Sequence, residues 1–133
     1  MTGRSTHEMV AEFHRHFARG EDPEAPVSSL PPDRIALRRD LIEEELEELI
    51  RAIISGNRAD ILKEITDLQY VLDGFYLVLG ISEDLKMRAF EEVHGSNMTK
   101  LMPDGTVKRR EDGKVLKGPN YRQADMAQFF QEA

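Results

Sequence analysis

Residues 58–79, RADILKEITDLQYVLDGFYLVL, constrain the fold most, because apolar side chains occupy most of the circumference of the helix they predict. A helix of this kind must be buried on several sides. Glu64 and Asp67 nevertheless lie one helical turn apart within it. A buried carboxylate without a partner is costly, and two adjacent carboxylates also repel each other. A counter-charge must therefore accompany these two acids.

The same periodicity predicts the remaining elements, with Gly56 ending the second helix and Gly80 the third. Predicted helices cover residues 7–19, 32–55, 58–79, 83–101 and 123–131. Ser82 is a suitable N-cap for the fourth of them. The proline-rich stretch 21–32 predicts a connector, and the Asp-Gly and Gly-Pro pairs within 102–121 predict a loop or a small hairpin.

At 133 residues the chain has the length of one domain, so we expect residues 1–133 to form a single unit. Long helices joined by short turns predict an all-α fold, an antiparallel helical bundle. The third helix is too apolar for one small bundle to cover. We therefore expect homo-oligomerisation to complete the bundle, as a dimer or a dimer of dimers.

Composition and charge exclude several classes of function. The absence of cysteine rules out disulfides and thiolate chemistry, so any metal must be held by oxygen or imidazole. No stretch resembles a signal peptide or a membrane span, which predicts a cytoplasmic protein without a membrane partner. The net charge of −7 argues against binding a nucleic-acid polymer.

Charge is unevenly distributed along the chain. Residues 40–48 carry six acids and no base, whereas residues 100–117 carry six lysines or arginines, at 100, 108, 109, 110, 114 and 117, against three acids. An acidic segment followed by a basic one suits a polyphosphate bound through metal ions.

The stretch LIEEELEELIRAII, residues 41–54, contains five glutamates that helical spacing divides into two groups. Glu43 and Glu47 point towards solvent, where Arg39 and Arg51 of the same helix are within salt-bridge spacing. Glu45 and Glu48 lie at the border of the apolar stripe, and Glu44 is expected to turn inward with them. The second helix thus offers an inward acid group that can face the acids of the third.

Two facing pairs of carboxylates predict a metal site. The expected ligands are Glu45, Glu48, Glu64 and Asp67. Oxygen-only ligands suit Mg²⁺ or Mn²⁺, whereas a di-iron centre would need Glu-x-x-His, which these acids do not form. The alternative is that Lys63 and Arg58 supply the counter-charge and that no metal binds.

The motifs EEELEE and KEITD resemble the Glu-Glu-x-x-Glu and Glu-x-x-Asp signature of the MazG-like all-α nucleoside triphosphate pyrophosphohydrolases, relatives of phosphoribosyl-ATP pyrophosphohydrolase. The likeness extends from MVAEFHRHF to DGKVLKGPNYRQADM, as in short bacterial and phage members. It implies hydrolysis between the α and β phosphates, two or three Mg²⁺ or Mn²⁺ ions per site, and a dimer or tetramer with shared active sites. For a phage-encoded chain, the location would be the host cytoplasm.

The resemblance also implies roles for individual residues. The metal ligands map onto the four acids above, and the catalytic residues are Glu44, Glu45 and Glu48, with Glu44 holding or deprotonating the attacking water. The substrate-binding residues are Asn97, Lys100, Lys114, Lys117, His14 and Tyr70, the last two as candidates for contacts with the base. The expected substrate is a deoxynucleoside triphosphate with guanine or uracil.

Three alternatives stay open at this stage. Glu44-x-x-Glu47 also matches the bare first motif, although the solvent-facing position of Glu47 favours the register of Glu45 and Glu48. The chain could be a non-catalytic helical oligomer that binds a nucleotide or a protein. Phosphoribosyl-ATP hydrolysis shares the metal chemistry and differs only in its substrate.

Overall fold

A computed structural model describes residues 3–17 and 32–130. Its α-helices are α1 (Thr6–Phe17), α2 (Pro32–Ser55), α3 (Arg58–Val78) and α4 (Glu83–Met98), followed by a 3-10 turn at Ala127–Phe130. Within these ranges β structure is limited to one isolated antiparallel bridge between Arg109 and Val115. The all-α fold class is confirmed, while the connector predicted at 21–31 lies outside the described residues.

A two-residue connection makes α2 and α3 neighbours that run in opposite directions. Gly56 adopts a positive φ of 76°, which glycine tolerates without a steric penalty. The side-chain oxygen of Asn57 accepts a hydrogen bond from the backbone N–H of Asp60 at 3.0 Å and caps α3. At the other end of α3, Gly80 has a φ of 71°, close to the predicted stop.

Two predicted helices are shorter in the structure. α4 ends at Met98 rather than at Leu101, because the N–H groups of residues 99–101 bond to carbonyls three residues back and form a turn. The helix predicted over 123–131 is reduced to the 3-10 turn, within the described residues. In the segment before this turn, the backbone N–H of Asp125 donates to the Glu92 carboxylate at 2.9 Å.

The chain divides into two compact units, Met1–Ser82 and Glu83–Ala133. In the first, α1 and α2 both pack on α3. Among the described residues, its buried apolar side chains are Val10, Ala52, Leu77 and Val78, of which Val10 and Val78 are fully buried. His7, His14 and Asp73 are buried among them, so this small core combines apolar and polar side chains around the C-terminal half of α3.

Among the residues that the structure describes, none covers the N-terminal half of α3 on all sides, contrary to the expectation of burial on several sides. Leu62 is 67% exposed and Ile65 48%. On the neighbouring helix Ile54 is 80% exposed, and Ile50 and Ile53 also face outward. Large apolar side chains near the α2–α3 connection are therefore left at the surface.

The second unit holds its C-terminal segment against α4 by hydrogen bonds. Arg122 donates to the Glu92 carboxylate at 2.7 Å, and its carbonyl accepts the Ser96 hydroxyl at 2.7 Å. Residues 102–121 form turns with Gly105 and Gly113 at positive φ, which confirms the predicted loop or small hairpin. No helix among the residues that the structure describes is long and apolar enough to cross a membrane.

Candidate active site

The four acids predicted as metal ligands converge between α2 and α3. One carboxylate oxygen from each of Glu45, Glu48, Glu64 and Asp67 lies within 4.8 Å of the others. The reason is the register of the two helices. Glu48 precedes Gly56 by eight residues and Glu64 follows Asn57 by seven, so the antiparallel helices bring both pairs to the same level.

Burial and mutual repulsion act together on this acid cluster. All four side chains are partly buried. Burial raises the pKa of Glu45, and the nearby carboxylates of Glu48 and Asp67 raise it further. One oxygen of Glu45 and one of Glu64 are buried without a hydrogen-bond partner among the described residues. The cluster therefore concentrates negative charge that the protein itself does not fully compensate.

Lys63 supplies part of the missing charge. Its ammonium lies 2.5 Å from a carboxylate oxygen of Asp67 and 3.6 Å from one of Glu64. The hydrogen bond to Asp67 raises the pKa of Lys63. Its side chain is 65% exposed, so the ion pair sits at the solvent edge of the cluster. The predicted alternative counter-charge is thus present for the two acids of α3.

A divalent cation fits the residues that line this cluster. Four carboxylates form an oxygen-only donor set, which hard cations such as Mg²⁺ and Mn²⁺ prefer. One buried oxygen of Glu45 and one of Glu64 provide acceptors for such an ion. An ion there would compensate the charge that raises the pKa of Glu45.

Comparison with known proteins links the chain to a family of pyrophosphohydrolases. Residues 10–97, about two thirds of the chain, match the model of the phosphoribosyl-ATP pyrophosphohydrolase family. The chain belongs to this family. An uncharacterized protein of Acanthamoeba polyphaga mimivirus is 33% identical over 84 residues, which cover 62% of this chain and 34% of the viral protein. The matching segment thus spans about a third of that relative's length.

Membership in the pyrophosphohydrolase family confirms the resemblance noted in the two acid motifs. The matched segment contains both motifs and reaches Asn97, and Lys100, Lys114 and Lys117 follow it. Pyrophosphohydrolase is the activity for which this family is named.

The other glutamates of α2 differ in their exposure. Glu43 and Glu47 are exposed, as helical spacing predicts. Glu44 is exposed as well, so the expectation that it turns inward with Glu45 and Glu48 is wrong. The tertiary structure leaves Glu44 at the surface even though it lies one helical turn from the partly buried Glu48.

An open depression of about 290 Å³ adjoins the acid cluster on the side of the α2–α3 connection. It is lined by Glu48, Arg51, Ala52, Ser55, Asp60 and Glu64. Sequence reasoning placed Arg51 with the solvated glutamates and missed its place here. The available signal was its spacing, since residues three apart on a helix, Glu48 and Arg51, share a face.

His14 and Tyr70 lie at the interface of α1 and α3 rather than in the acid cluster. The Tyr70 ring meets Phe13 edge-on, with centroids 5.7 Å apart. Tyr70 also lines an apolar cavity of about 220 Å³ together with Met9 and Val10 of α1. His14 is 7% exposed, with its imidazole against Gly74. The structure therefore places these two residues, which were predicted to contact the base, between α1 and α3. Glu64 and Asp67 of α3 instead face the acids of α2.

The remaining predicted substrate-binding residues belong to the second unit. Asn97 is exposed in the last turn of α4, and Lys100 is partly buried just after it. Lys114 is exposed next to a glycine turn. The Lys117 ammonium lies 4.6 Å from the centroid of the Tyr121 ring, a cation–π contact that restricts the side chain.

Proposed function

We propose that this chain hydrolyses a nucleoside triphosphate between the α and β phosphates and releases a nucleoside monophosphate and pyrophosphate. The observation that carries the proposal is the convergence of four carboxylates within 4.8 Å in a member of a pyrophosphohydrolase family. A cluster of partly buried carboxylates is unfavourable unless cations compensate its charge. Mg²⁺ or Mn²⁺ is the proposed cofactor, with two or three ions per site.

Metal binding and proton transfer are proposed to belong to different residues of this region. Glu45, Glu48, Glu64 and Asp67 would hold the divalent ions. Such ions, when bound, neutralise phosphate charge and acidify water. The oxygen of the attacking water bonds to the α phosphorus as the bond from that phosphorus to the bridging oxygen breaks. Glu44, exposed at the edge of the cluster, is proposed to accept the water's proton at a carboxylate oxygen.

We assign substrate contacts to the residues that the family resemblance implies. Asn97, Lys100, Lys114 and Lys117 are proposed to bind the phosphates, because ammonium and amide donors stabilise charge on phosphate oxygens. Tyr70, next to Phe13, offers an aromatic surface to a base, and His14 lies on the same side of α3. The proposed substrate is a deoxynucleoside triphosphate carrying guanine or uracil.

A phosphate-release assay with added inorganic pyrophosphatase tests the reaction directly. The nucleotide panel includes dGTP, GTP, dUTP and the other common triphosphates, each with Mg²⁺ or Mn²⁺. We expect pyrophosphate from at least one of them. No release from any nucleotide at high enzyme concentration would refute the proposed function. Phosphoribosyl-ATP belongs in the same panel, since the family to which the chain belongs carries that name.

A second copy of the chain is the proposed partner for the exposed apolar side chains near the α2–α3 connection. Ile54 and Leu62, at 80% and 67% exposure, are large apolar residues that self-association would bury. Sedimentation analysis should show a dimer or tetramer that Ile54→Glu dissociates, while Arg39→Glu on the same helix does not. A monomeric wild type would overturn this part of the proposal.

A further inference from the structure

The last turn of α4 and the residues just after it carry two of the proposed phosphate contacts, Asn97 and Lys100. The helix ends at Met98. The backbone N–H of Lys100 then bonds to the carbonyl of Asn97, three residues back, at 3.1 Å. Hydrogen bonds of this span are common at helix ends and have poorer geometry than those of an α-helix. The place of Lys100 therefore depends on contacts beyond the hydrogen bonds of α4.

The side chain of Thr99 joins this turn to a distant part of the chain. Its hydroxyl donates to the carbonyl of Ser96 at 2.6 Å and accepts the backbone N–H of Arg122 at 2.9 Å. The Ser96 hydroxyl, which is buried, donates to the carbonyl of Arg122 at 2.7 Å. Both backbone polar groups of Arg122 are thus bonded to hydroxyls of the last turn.

A second contact brings Gly118 against the same turn. A Cβ atom at Gly118 would lie 3.0 Å from the carbonyl oxygen of Lys100 and 2.9 Å from that of Leu101. A side chain at this position would therefore force one of the two segments to move, and glycine permits the close approach. Contacts from Gly118 and Arg122 together fix the turn that carries Lys100.

We propose that Thr99 is a positioning residue, whose hydroxyl fixes this turn so that the Lys100 ammonium meets a phosphate of the nucleoside triphosphate. This inference rests on the proposed function, in which Lys100 binds the phosphates. A lysine ammonium sits on a long, flexible stem. Its binding costs less conformational entropy where the backbone beneath it is already held in place. Lys100 is also partly buried, which restricts its side chain further.

A purely structural role for Thr99 predicts different kinetics. A fold that is merely less stable leaves fewer active molecules, so the apparent kcat falls and KM stays the same. A lost substrate contact of equal strength in the ground and transition states raises KM and leaves kcat unchanged. The ratio of the two effects therefore separates positioning from support of the fold.

Steady-state kinetics of Thr99→Val, with Mg²⁺ and the best substrate of the nucleotide panel, test the assignment. Valine keeps the branched shape of threonine and lacks the hydroxyl. We expect KM to rise about three- to tenfold while kcat changes less than about twofold. Thr99→Ser keeps the hydroxyl and should restore the wild-type KM. Thr106→Val is the matched control, because the Thr106 hydroxyl donates to Asp104 in the exposed loop, and it should leave both constants unchanged.

A double-mutant cycle with Lys100→Gln asks whether Thr99 acts through Lys100. Lys100→Gln removes the ammonium and should raise KM by itself. Thr99→Val should then add little to KM in the Lys100→Gln background, because the group that it positions is already absent. Fully additive effects on KM would overturn the proposal. An unchanged KM in Thr99→Val, or a fall in kcat alone, would overturn it as well.

Gly118→Ala disturbs the same turn from another segment and serves if Thr99→Val does not fold. Its Cβ atom would press on the carbonyl of Lys100, so KM should rise, and again only while Lys100 is present. An unaltered KM in Gly118→Ala would then refute the inference. A wild type that hydrolyses no nucleotide refutes the proposed function, and this inference with it. A hydrolysing wild type whose KM is unaltered by Lys100→Gln refutes the inference and leaves the proposed hydrolysis standing.

Discussion

Burial and repulsion by neighbouring carboxylates both act on the pKa of Glu45. Burial raises its pKa above the value of 4.5 for a free glutamate, and the carboxylates of Glu48 and Asp67 add to the shift. Because its pKa is higher in the folded than in the unfolded chain, the folded state binds this proton more tightly. The resulting stabilisation is complete at low pH and is lost as the pH rises through the raised pKa.

Glu45→Gln should therefore flatten the pH dependence of stability in the metal-free protein. With EDTA present, the melting temperature of the wild type should fall relative to that of the variant as the pH rises from 4.5 through the raised pKa of Glu45. Differential scanning fluorimetry across this range measures the effect. Glu43→Gln, which removes an exposed acid, is the control and should retain the wild-type slope. Parallel curves for wild type and Glu45→Gln would contradict the expectation.

Single substitutions should distinguish the acids of the cluster from the exposed acids of α2 by their effect on turnover. Glu48→Gln and Asp67→Asn each remove a proposed metal ligand and should lower kcat/KM by about a hundredfold or more, since even residues behind the ligands contribute about 10- to 100-fold. Glu47→Gln alters a neighbouring exposed acid and should leave turnover unchanged. Circular dichroism checks that the helices persist. Normal hydrolysis by both cluster variants would show that the metal assignment is wrong.

At the scale of secondary-structure elements, the short connection between α2 and α3 brings the two pairs of acids together. A connection formed by Gly56 and Asn57 sets the register in which Glu48 faces Glu64. In the second unit, side-chain hydrogen bonds hold the C-terminal segment against α4. Glu92 of α4 accepts hydrogen bonds from the Arg122 guanidinium and the Asp125 N–H. These bonds lower the pKa of Glu92. Stability from this contact is thus present above the unfolded pKa and is lost as the pH falls through the lowered one.

Glu92→Gln should release the segment around residues 122–125 from α4. The reason is that a neutral amide replaces a carboxylate that accepts from two donors. Hydrogen exchange followed by mass spectrometry should show faster exchange at the Asp125 amide, with the exchange of α2 and α3 unchanged. Glu91→Gln, the exposed neighbour, should exchange as the wild type does. Unaltered protection of the Asp125 amide in Glu92→Gln would mean that the hydrogen bonds of Arg122 with Ser96 and Thr99 are enough to hold the segment against α4.

At the scale of the whole molecule, an unbalanced acid cluster links metal binding to stability. A folded chain presents four converging carboxylates, whereas an unfolded chain disperses them. A divalent ion therefore binds the folded state preferentially and stabilises it by mass action. This linkage distinguishes the proposed hydrolase from a non-catalytic helical oligomer in which Lys63 balances the acids without a metal ion.

Mg²⁺ or Mn²⁺ at millimolar concentration should raise the melting temperature of the wild type by several degrees, which about 1–3 kcal/mol of binding free energy would produce. Glu48→Gln should lose most of the increase. Lys63→Met should increase it, because the competing ammonium is removed from Asp67. Na⁺ at matched ionic strength controls for general screening. An unchanged melting temperature in all cases would favour the non-catalytic alternative.

Local patterns were sufficient for the helices and for the four converging acids. The spacing of Glu45 with Glu48 and of Glu64 with Asp67 places each pair on one face, and a glycine turn of minimal length leaves one antiparallel register. Local rules failed at Leu101 and Gln123, where a helix was predicted and none forms. Contacts distant in sequence, between α4 and the segment after Tyr121, compete there with helical hydrogen bonds.

Exposure and long-range proximity came only from the tertiary structure. Helical spacing could not show that Glu44 and Leu62 stay at the surface, because exposure depends on which neighbours cover each face. Nor could it show that His14 reaches Gly74 and Arg38, since these residues belong to three different helices. Periodicity determines which side chains share a face of one helix, whereas packing between helices determines what that face meets.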